Sequence, residues 1–251
     1  MEGIEEALYW HTVGIVADSG RSTGTAVAIR FNRHTVFLTA NHVIEGTGDE
    51  DLGFFFRPPG TLRRTDWWQN QPPSGRIAAA VRVKIFQRFP HPKLDLAALV
   101  VWPLLDQAVN VRFFDLPDAA KLSRPLPSVA AIGFPADTKQ ELSPVAAAVA
   151  AAPIWGNVEC GKHWRPDGYR PRSHLLLRFL PASFGRHPGG FSGAGVWYHE
   201  PAPKPGLWTP NLALAGIVTH YYPGKQILLI QRVERVAEFL RAICPGPTQN
   251  K

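Results

Sequence analysis

Gly189-Gly-Phe-Ser192-Gly193 is the stretch on which the interpretation of this sequence rests, and it follows two others in the chain, Leu38-Thr-Ala-Asn-His42 and Leu94-Asp95-Leu-Ala97. Amide hydrolysis by acyl transfer needs a nucleophile, a base within hydrogen-bond reach of it, and a carboxylate that orients the base. Ser192, His42 and Asp95 supply these three groups. The neighbouring glycines allow a tight loop whose backbone N–H groups face a developing oxyanion.

Each of the three residues has an ordinary structural alternative. His42 is also compatible with a hydrogen-bonded histidine at a strand end, Asp95 with a turn carboxylate, and Ser192 with a serine in a glycine loop. Their occurrence together and in this order favours the catalytic interpretation. The remaining histidines that we considered are interpreted as structural: His34, His91, His163, His174, His187 and His199.

No metal or cofactor is predicted. Cys160-Gly-Lys-His163 contains residue types that bind zinc, but one such pair without further ligands is weak evidence for a site. The sequence contains neither a phosphate-binding loop nor a dinucleotide-binding fingerprint.

The rest of the chain reads as short strands closed by one helix. Gln231–Ile243 has apolar residues at helical spacing, and Pro245 and Gly246 follow it. Val145–Ala152 is ambiguous, and its neighbours favour a strand; Arg57–Arg76 is interpreted as a long surface loop. The predicted strands are Tyr9–Val16, Thr25–Phe31, Thr35–Thr39, Phe54–Phe56, Ala79–Phe86, Asp95–Trp102, Ser128–Gly133, Leu175–Phe179, Gly195–Tyr198, Leu212–Thr219 and Gln226–Ile230.

Composition excludes several classes of protein. Among 251 residues, 24 prolines and 22 glycines disfavour a helical bundle, and 45% hydrophobic residues disfavour a disordered chain. Two cysteines cannot form a disulfide framework, and the acidic start MEGIEEALYW does not resemble a signal peptide. We therefore expect a cytoplasmic protein that does not bind membranes. The net charge of +7 is spread without a dense basic run, so nucleic acid is not a favoured partner.

Six motifs together resemble the trypsin-like (chymotrypsin-fold) serine peptidases, and in particular the bacterial, disulfide-poor branch that includes HtrA-type enzymes. They sample the chain from about Tyr9 to Ile243, and the order His, Asp, Ser matches the family. The motifs are Gly24-Thr-Ala-Val-Ala28, Phe37-Leu-Thr-Ala-Asn-His-Val43, Asp95-Leu-Ala-Ala-Leu99, Gly133-Phe-Pro135, Gly190-Phe-Ser-Gly193 and Leu214-Ala-Gly-Ile-Val-Thr219.

This resemblance implies an all-β fold of two antiparallel six-stranded β-barrels, followed by a C-terminal α-helix, with the active site between the barrels. Residues 1–105 would form the barrel that carries His42 and Asp95, and residues 106–127 the connection. Residues 128–251 would form the barrel that carries Ser192, together with the helix. The backbone N–H groups of Gly190 and Ser192 would form the oxyanion hole.

The resemblance also identifies residues for substrate specificity. Arg186 corresponds to the base of the pocket for the side chain before the cut, where it would favour an acidic residue; the alternative is that the loop differs in length and Arg186 faces solvent. Thr219, His220 and Tyr221 would line the pocket and pair with the substrate backbone. Phe191 stands where zymogen-activated relatives have an aspartate, so activation by N-terminal cleavage is not expected.

The expected function is that of a serine endopeptidase acting on protein or peptide substrates, and a regulated role in a bacterial stress or defence module is one interpretation of it. The alternative is a catalytically silent trypsin-like domain that acts as a binding or scaffold module. The C-terminal sequence Cys-Pro-Gly-Pro-Thr-Gln-Asn-Lys has the composition of a linker. A regulatory partner or a further fused domain is therefore also an expectation.

Overall fold

The computed structural model describes residues 7–17, 22–56, 81–122, 126, 128–135, 140–143, 146–148, 151–159, 164–179, 188–200 and 211–246. Within these ranges most regular structure is β-strand, as the sequence predicts. No helix in the described ranges is long and apolar enough to span a membrane.

The N-terminal sheet has seven strands in the described ranges, six of them in the order β4-β1-β2-β3-β6-β5. These six pair antiparallel, and β7 pairs parallel with β2. Val81 exchanges backbone hydrogen bonds of 2.8 and 2.9 Å with Phe54 in β4 and lies four residues before β5, so the two edges of the sheet approach each other. The strands are β1 (Thr12–Ala17), β2 (Ser22–Phe31), β3 (His34–Thr39), β4 (Gly53–Phe55), β5 (Ile85–Pro90), β6 (Ala97–Val101) and β7 (Phe114–Asp115).

The C-terminal sheet closes into a barrel of six strands in the order β11-β12-β15-β14-β13-β8. Two short strands, β9 and β10, pair with each other outside this barrel. The strands are β8 (Val129–Gly133), β9 (Gln140–Ser143), β10 (Ala146–Ala148), β11 (Ala152–Glu159), β12 (His174–Phe179), β13 (Gly195–His199), β14 (Leu212–Tyr222) and β15 (Ile227–Arg232).

Besides a helical turn at residues 7–9, the described ranges contain the helices α1 (Asn41–Ile44), α2 (Leu105–Ala108) and the terminal α3 (Val233–Ile243). Asp49–Asp51 and Pro223–Lys225 form 3₁₀ turns. The apolar side of α3 belongs to one buried cluster that also contains residues of both sheets, such as Ile29, Ala98 and Trp197. Burial of this shared apolar surface holds the two sheets and the helix together.

The predicted fold class, a chymotrypsin-like double barrel with a C-terminal helix, is confirmed. The predicted domain boundaries stay a prediction; β7 lies inside the segment expected to connect the barrels, and it extends the N-terminal sheet. The predicted loop Arg57–Arg76 lies outside the described residues.

The boundaries of some elements differ from the prediction for physical reasons. The helix begins at Val233, two residues later than predicted, because Gln231 and Arg232 are buried and pair with neighbouring strands in β15. The first strand begins at Thr12, because residues 7–9 form a helical turn. The ambiguous alanine-rich segment does contain a strand, β10. The sequence analysis did not identify β11, which pairs with β8 and β12, because its proline and glycine are residues that disfavour a strand.

Candidate active site

His42 and Asp95 are adjacent because of the pairing of β3 with β6. Thr39 at the end of β3 lies opposite Ala97 at the start of β6, so the residues just beyond these strand ends meet at one edge of the sheet. The Nδ1–H of His42 donates a hydrogen bond of 2.6 Å to Asp95 Oδ2. The backbone N–H of His42 donates a second bond, of 3.0 Å, to Asp95 Oδ1. Both carboxylate oxygens are thus used to fix the position of one imidazole.

Each partner shifts the pKa of the other. The hydrogen bond to Asp95 raises the pKa of His42 above its ordinary value, against a smaller opposing effect of burial. Burial of Asp95 disfavours its charge, but the side-chain and backbone hydrogen bonds from His42 outweigh burial and lower the pKa of Asp95. At neutral pH Asp95 is therefore ionised and holds Nδ1 of His42 as the protonated nitrogen, which leaves Nε2 as the proton acceptor of the neutral ring.

Ser192 lies in a tight loop that leads into β13. The N–H of Phe191 donates to the carbonyl of Pro188 at 3.1 Å, and the N–H of Ala194 donates to the carbonyl of Phe191 at 2.8 Å. Gly190 and Gly193 have φ of 91° and 88°, a left-handed conformation that residues other than glycine adopt at a cost. This backbone requirement explains why glycines flank Phe191 and Ser192.

The buried side chain of Phe191 fixes this loop to the C-terminal barrel. Phe191 is 1% exposed and belongs to the apolar core of that barrel. A Cβ atom placed on Gly133 would approach the Phe191 ring to 2.9 Å, so the glycine of Gly133-Phe-Pro135 leaves room for the ring. The residue just before Ser192 is thus an apolar anchor of the loop.

The other side of the Ser192 loop is held by β2 of the N-terminal sheet. The N–H of Thr25 donates to the carbonyl of Ser192 at 2.9 Å, and the Thr25 hydroxyl donates to the carbonyl of Gly190 at 2.8 Å. The hydroxyl of Thr39 donates in turn to the carbonyl of Thr25 at 2.7 Å. A Cβ atom on Gly193 would overlap the carbonyl of Thr25 and the hydroxyl of Thr39. Because Thr39 is three residues before His42, this contact brings the loop of Ser192 to the edge of the sheet that carries His42.

Two backbone N–H groups of the loop have no acceptor among the described residues. These are the N–H groups of Gly190 and Ser192, the pair predicted to form the oxyanion hole. Neighbouring amides of the loop, at Phe191, Gly193 and Ala194, all donate within the protein. The pattern of satisfied and unsatisfied donors therefore matches the two groups that an oxyanion would need.

A second histidine, His220 in β14, lies beside this pair. Its Nδ1 is 3.8 Å from Asp95 Oδ2, and its ring centroid is 5.7 Å from that of His42. The side chain is 52% exposed. The sequence analysis assigned His220 to substrate binding but did not anticipate that it approaches Asp95, since nothing in sequence spacing relates two residues in different barrels.

The other residues predicted for specificity differ in their surroundings. Thr219 is buried, and its hydroxyl donates to the carbonyl of Leu229 at 3.4 Å, so only its backbone is placed to meet a substrate. The ring of Tyr221 packs at 5.8 Å from that of Phe179, and burial raises the pKa of Tyr221. Arg186 lies outside the described residues.

Comparison with known proteins identifies the fold. The serine endoprotease from Yersinia pestis is similar in structure, with a TM-score of 0.60 and 13% sequence identity over 97% of this chain. This chain spans 66% of the Yersinia chain, just under two thirds of it. The inactivated protease paralogue S-I1 of the scabies mite is equally similar, with a TM-score of 0.60, 14% identity, and 96% of each chain covered. No protein-family model and no curated protein sequence matches.

Proposed function

The trypsin-like protease fold is the premise from which we propose that this chain is a serine endopeptidase with Ser192 as nucleophile, His42 as base and Asp95 as orienting carboxylate. The observation that carries the proposal is the doubly hydrogen-bonded pair of His42 and Asp95, placed at the sheet edge against which the Ser192 loop packs. A carboxylate that binds both the ring and the backbone of one histidine defines its tautomer and orientation, which is what a general base requires.

In the proposed reaction, Ser192 Oγ attacks the scissile carbonyl carbon while Nε2 of His42 takes the hydroxyl proton. The resulting tetrahedral oxyanion is bound by the N–H groups of Gly190 and Ser192. Its collapse breaks the C–N bond, and His42 gives its proton to the leaving amine. Water then attacks the acyl-enzyme with His42 again as base, which releases the carboxylic acid and restores Ser192. Asp95 stays ionised throughout and stabilises the imidazolium form of His42.

The backbone of β14 supports an extended peptide as substrate. From Leu212 to Ile217 this strand pairs with β13, and from Gly216 onward it pairs with β15. From Thr219 to Tyr222 its ladder partner among the described residues is β15. We propose that a substrate strand pairs with the backbone of β14 beside Ser192, as the sequence resemblance implies for Thr219, His220 and Tyr221.

We further propose that this chain is a disulfide-poor, HtrA-type enzyme that acts in the cytoplasm and is regulated by a partner protein or a fused domain. The chain has two cysteines, and Cys244 is a free thiol buried in the core. Packing of apolar side chains, rather than cross-links at this cysteine, stabilises the part of the protein that the structure describes.

A second candidate function is a binding or scaffold module without catalysis. One similar structure is named as a serine endoprotease and the other as an inactivated protease paralogue, and both have a TM-score of 0.60. The fold therefore does not separate the two functions. The chemistry of the site favours the peptidase, because a binding module has no physical need for an ionised carboxylate that orients a histidine.

Digestion of a peptide library tests the proposal and its specificity together. We expect cleavage by the wild-type protein and none by Ser192→Ala at equal concentration, and a preference for Asp or Glu before the cut if Arg186 lies in the pocket. Cleavage without that preference would contradict the proposal that Arg186 binds an acidic side chain, but would still support the peptidase assignment. Equal product from wild type and Ser192→Ala would contradict the assignment of the nucleophile.

A further inference from the structure

The loop that carries Asp95 is closed by the side chain and the backbone of one residue, His91. His91 Nδ1 accepts hydrogen bonds from the backbone N–H groups of Lys93, at 3.0 Å, and Leu94, at 2.9 Å. The N–H of His91 donates to the carbonyl of Leu96 at 2.8 Å. These three bonds tie the chain on both sides of Asp95 to the same residue.

Asp95 itself is at the centre of a tight turn. The N–H of Leu96 donates to the carbonyl of Leu94 at 2.8 Å, which encloses Asp95 between them. The direction of the Asp95 side chain is therefore set by Leu94 and Leu96, whose backbones His91 holds. A displacement of this turn would move the carboxylate relative to both of its hydrogen bonds to His42.

His91 is in turn held by the C-terminal helix. Its ring makes an edge contact with Phe239 of α3, with the centroids 5.0 Å apart, and Phe239 is 6% exposed. The ring thus has one nitrogen turned to the loop and an apolar face fixed against a buried side chain. The sequence analysis interpreted His91 as structural, and these contacts show which part of the structure it holds: the loop of Asp95.

We propose that His91 is a positioning residue for Asp95, and that it performs this role only as a neutral imidazole with Nδ1 unprotonated. The inference rests on the proposed catalytic role of Asp95. Because Nδ1 accepts from two N–H groups, a proton on this nitrogen would convert an acceptor into a third donor and break both bonds. Protonation of His91 would release the turn around Asp95 and lower activity without a change of protonation state at His42 or Ser192.

The surroundings of His91 also favour its neutral form. Burial and the neighbouring ammonium group of Lys93 lower the pKa of His91, so the neutral form is favoured in the folded protein at neutral pH. From α3, His91 meets Phe239, which does not titrate. The charged groups of α3 are bound elsewhere: Arg235 pairs with Glu238, Arg241 with Asp118, and Glu234 with Arg232.

Two substitutions separate positioning from simple packing. In His91→Asn, the side-chain oxygen accepts from N–H groups two or three residues later in the chain but does not titrate. In His91→Leu, the apolar contact with Phe239 is kept and the acceptor is lost. At pH 8 we expect His91→Asn to keep kcat within about threefold of wild type, and His91→Leu to lose ~10²-fold in kcat with little change in KM, as for a misplaced catalytic group.

The pH profile of kcat/KM gives the second readout. The wild type falls in proportion to proton concentration as His42 is protonated, and falls more steeply at lower pH as His91 is protonated too. His91→Asn keeps the single-proton dependence throughout, whereas the control His199→Asn, on an exposed residue of β13, keeps the steeper one. A steeper limb retained in His91→Asn would overturn the proposal, as would full kcat in His91→Leu at pH 8.

A measurement without substrate separates this proposal from the proposed function. The downfield proton resonance of His42 Nδ1–H reports its hydrogen bond to Asp95. We expect the resonance in wild type and His91→Asn, and its loss in His91→Leu at pH 8. If the wild type hydrolyses no peptide, the peptidase assignment fails, and the His42 Nδ1–H resonance alone tests whether His91 positions Asp95. If His91→Leu does not fold, the comparison of wild type with His91→Asn decides.

Discussion

The Thr25 hydroxyl, in the N-terminal sheet, donates a 2.8 Å hydrogen bond to the carbonyl of Gly190, in the loop of the proposed nucleophile. The same oxygen accepts a 3.0 Å bond from the N–H of Phe134. One buried hydroxyl therefore joins the first barrel to two loops of the second. Because the carbonyl of Gly190 is held in this way, the orientation of this part of the loop, and with it the geometry of the proposed oxyanion hole, depends on contact between the barrels.

Thr25→Val tests this dependence. Loss of the hydroxyl leaves the carbonyl of Gly190 and the N–H of Phe134 without their partner, so we expect a destabilisation of about 1–3 kcal/mol and at least a tenfold loss of kcat. Thr35→Val is the matched control, since the equally buried Thr35 donates to the carbonyl of Val101 away from the site. It should show a similar loss of stability in urea unfolding with kcat unchanged. Equal loss of kcat in both variants would refute a local role for Thr25.

Gly193→Ala tests the close approach of the Ser192 loop to β2. The added Cβ meets the carbonyl of Thr25 at a residue with φ of 88°, so we expect a loss of about 2–5 kcal/mol in unfolding free energy together with loss of activity. Gly168 has φ of 76° and open space around its Cβ position. Gly168→Ala should therefore cost only the backbone strain, about 1–2 kcal/mol, and keep full activity. If the two variants are equally stable, the close contact between Gly193 and the carbonyl of Thr25 is contradicted.

Asp95→Asn tests the coupling between the carboxylate and the base. The bond to Asp95 raises the pKa of His42, so the wild type gains activity as pH rises through a value above the ordinary 6.5. In Asp95→Asn this acid limb should move to lower pH, while kcat falls by ~10⁴-fold because the imidazole tautomer is no longer fixed. The pH profile of kcat/KM measures both effects. An acid limb that does not move would show that Asp95 does not set the pKa of His42.

The same pair predicts how stability depends on pH. The raised pKa of His42 stabilises the fold fully below about pH 6.5, and this contribution is lost as pH rises through the folded-state pKa. The lowered pKa of Asp95 stabilises the fold above about pH 3.9, and this contribution is lost as pH falls through its folded-state pKa. Wild type should thus exceed Asp95→Asn in urea midpoint most clearly between about pH 4 and 6.5. A constant difference from pH 4 to 9 would contradict the charged pair.

The sequence sufficed to predict an all-β body closed by one helix, because its strands are short runs of β-branched and aromatic residues between glycines and prolines. The double barrel was an implication of the resemblance to trypsin-like peptidases that the six motifs carry. The sequence also led to His42 and Asp95, which the structure brings into contact, since each follows or precedes a recognisable strand. The strand β11 was missed because Ala-Pro-Ile-Trp-Gly-Asn-Val-Glu lacks alternation, and its pairing is set by tertiary neighbours.

Contacts between distant parts of the chain were beyond the reach of sequence patterns. Thr25 belongs to the motif Gly24-Thr-Ala-Val-Ala28, yet its bond to Gly190 spans 165 positions. The approach of His220 to Asp95 and the contact of His91 with Phe239 likewise depend on side-chain orientation. Such placements follow from the packing of whole sheets, and no local propensity encodes them.

The most direct test of the central claim is labelling of the intact protein by a fluorophosphonate, with the modified residue identified by mass spectrometry of the peptides. Only a serine with an adjacent base and a formed oxyanion hole reacts rapidly with this reagent. We predict a single adduct on Ser192 in the wild type, and none in Ser192→Ala or His42→Ala when both retain the wild-type thermal midpoint. An unlabelled Ser192 in the folded wild type, or an adduct that persists in Ser192→Ala, would contradict the assignment of this site as the catalytic centre of a serine peptidase.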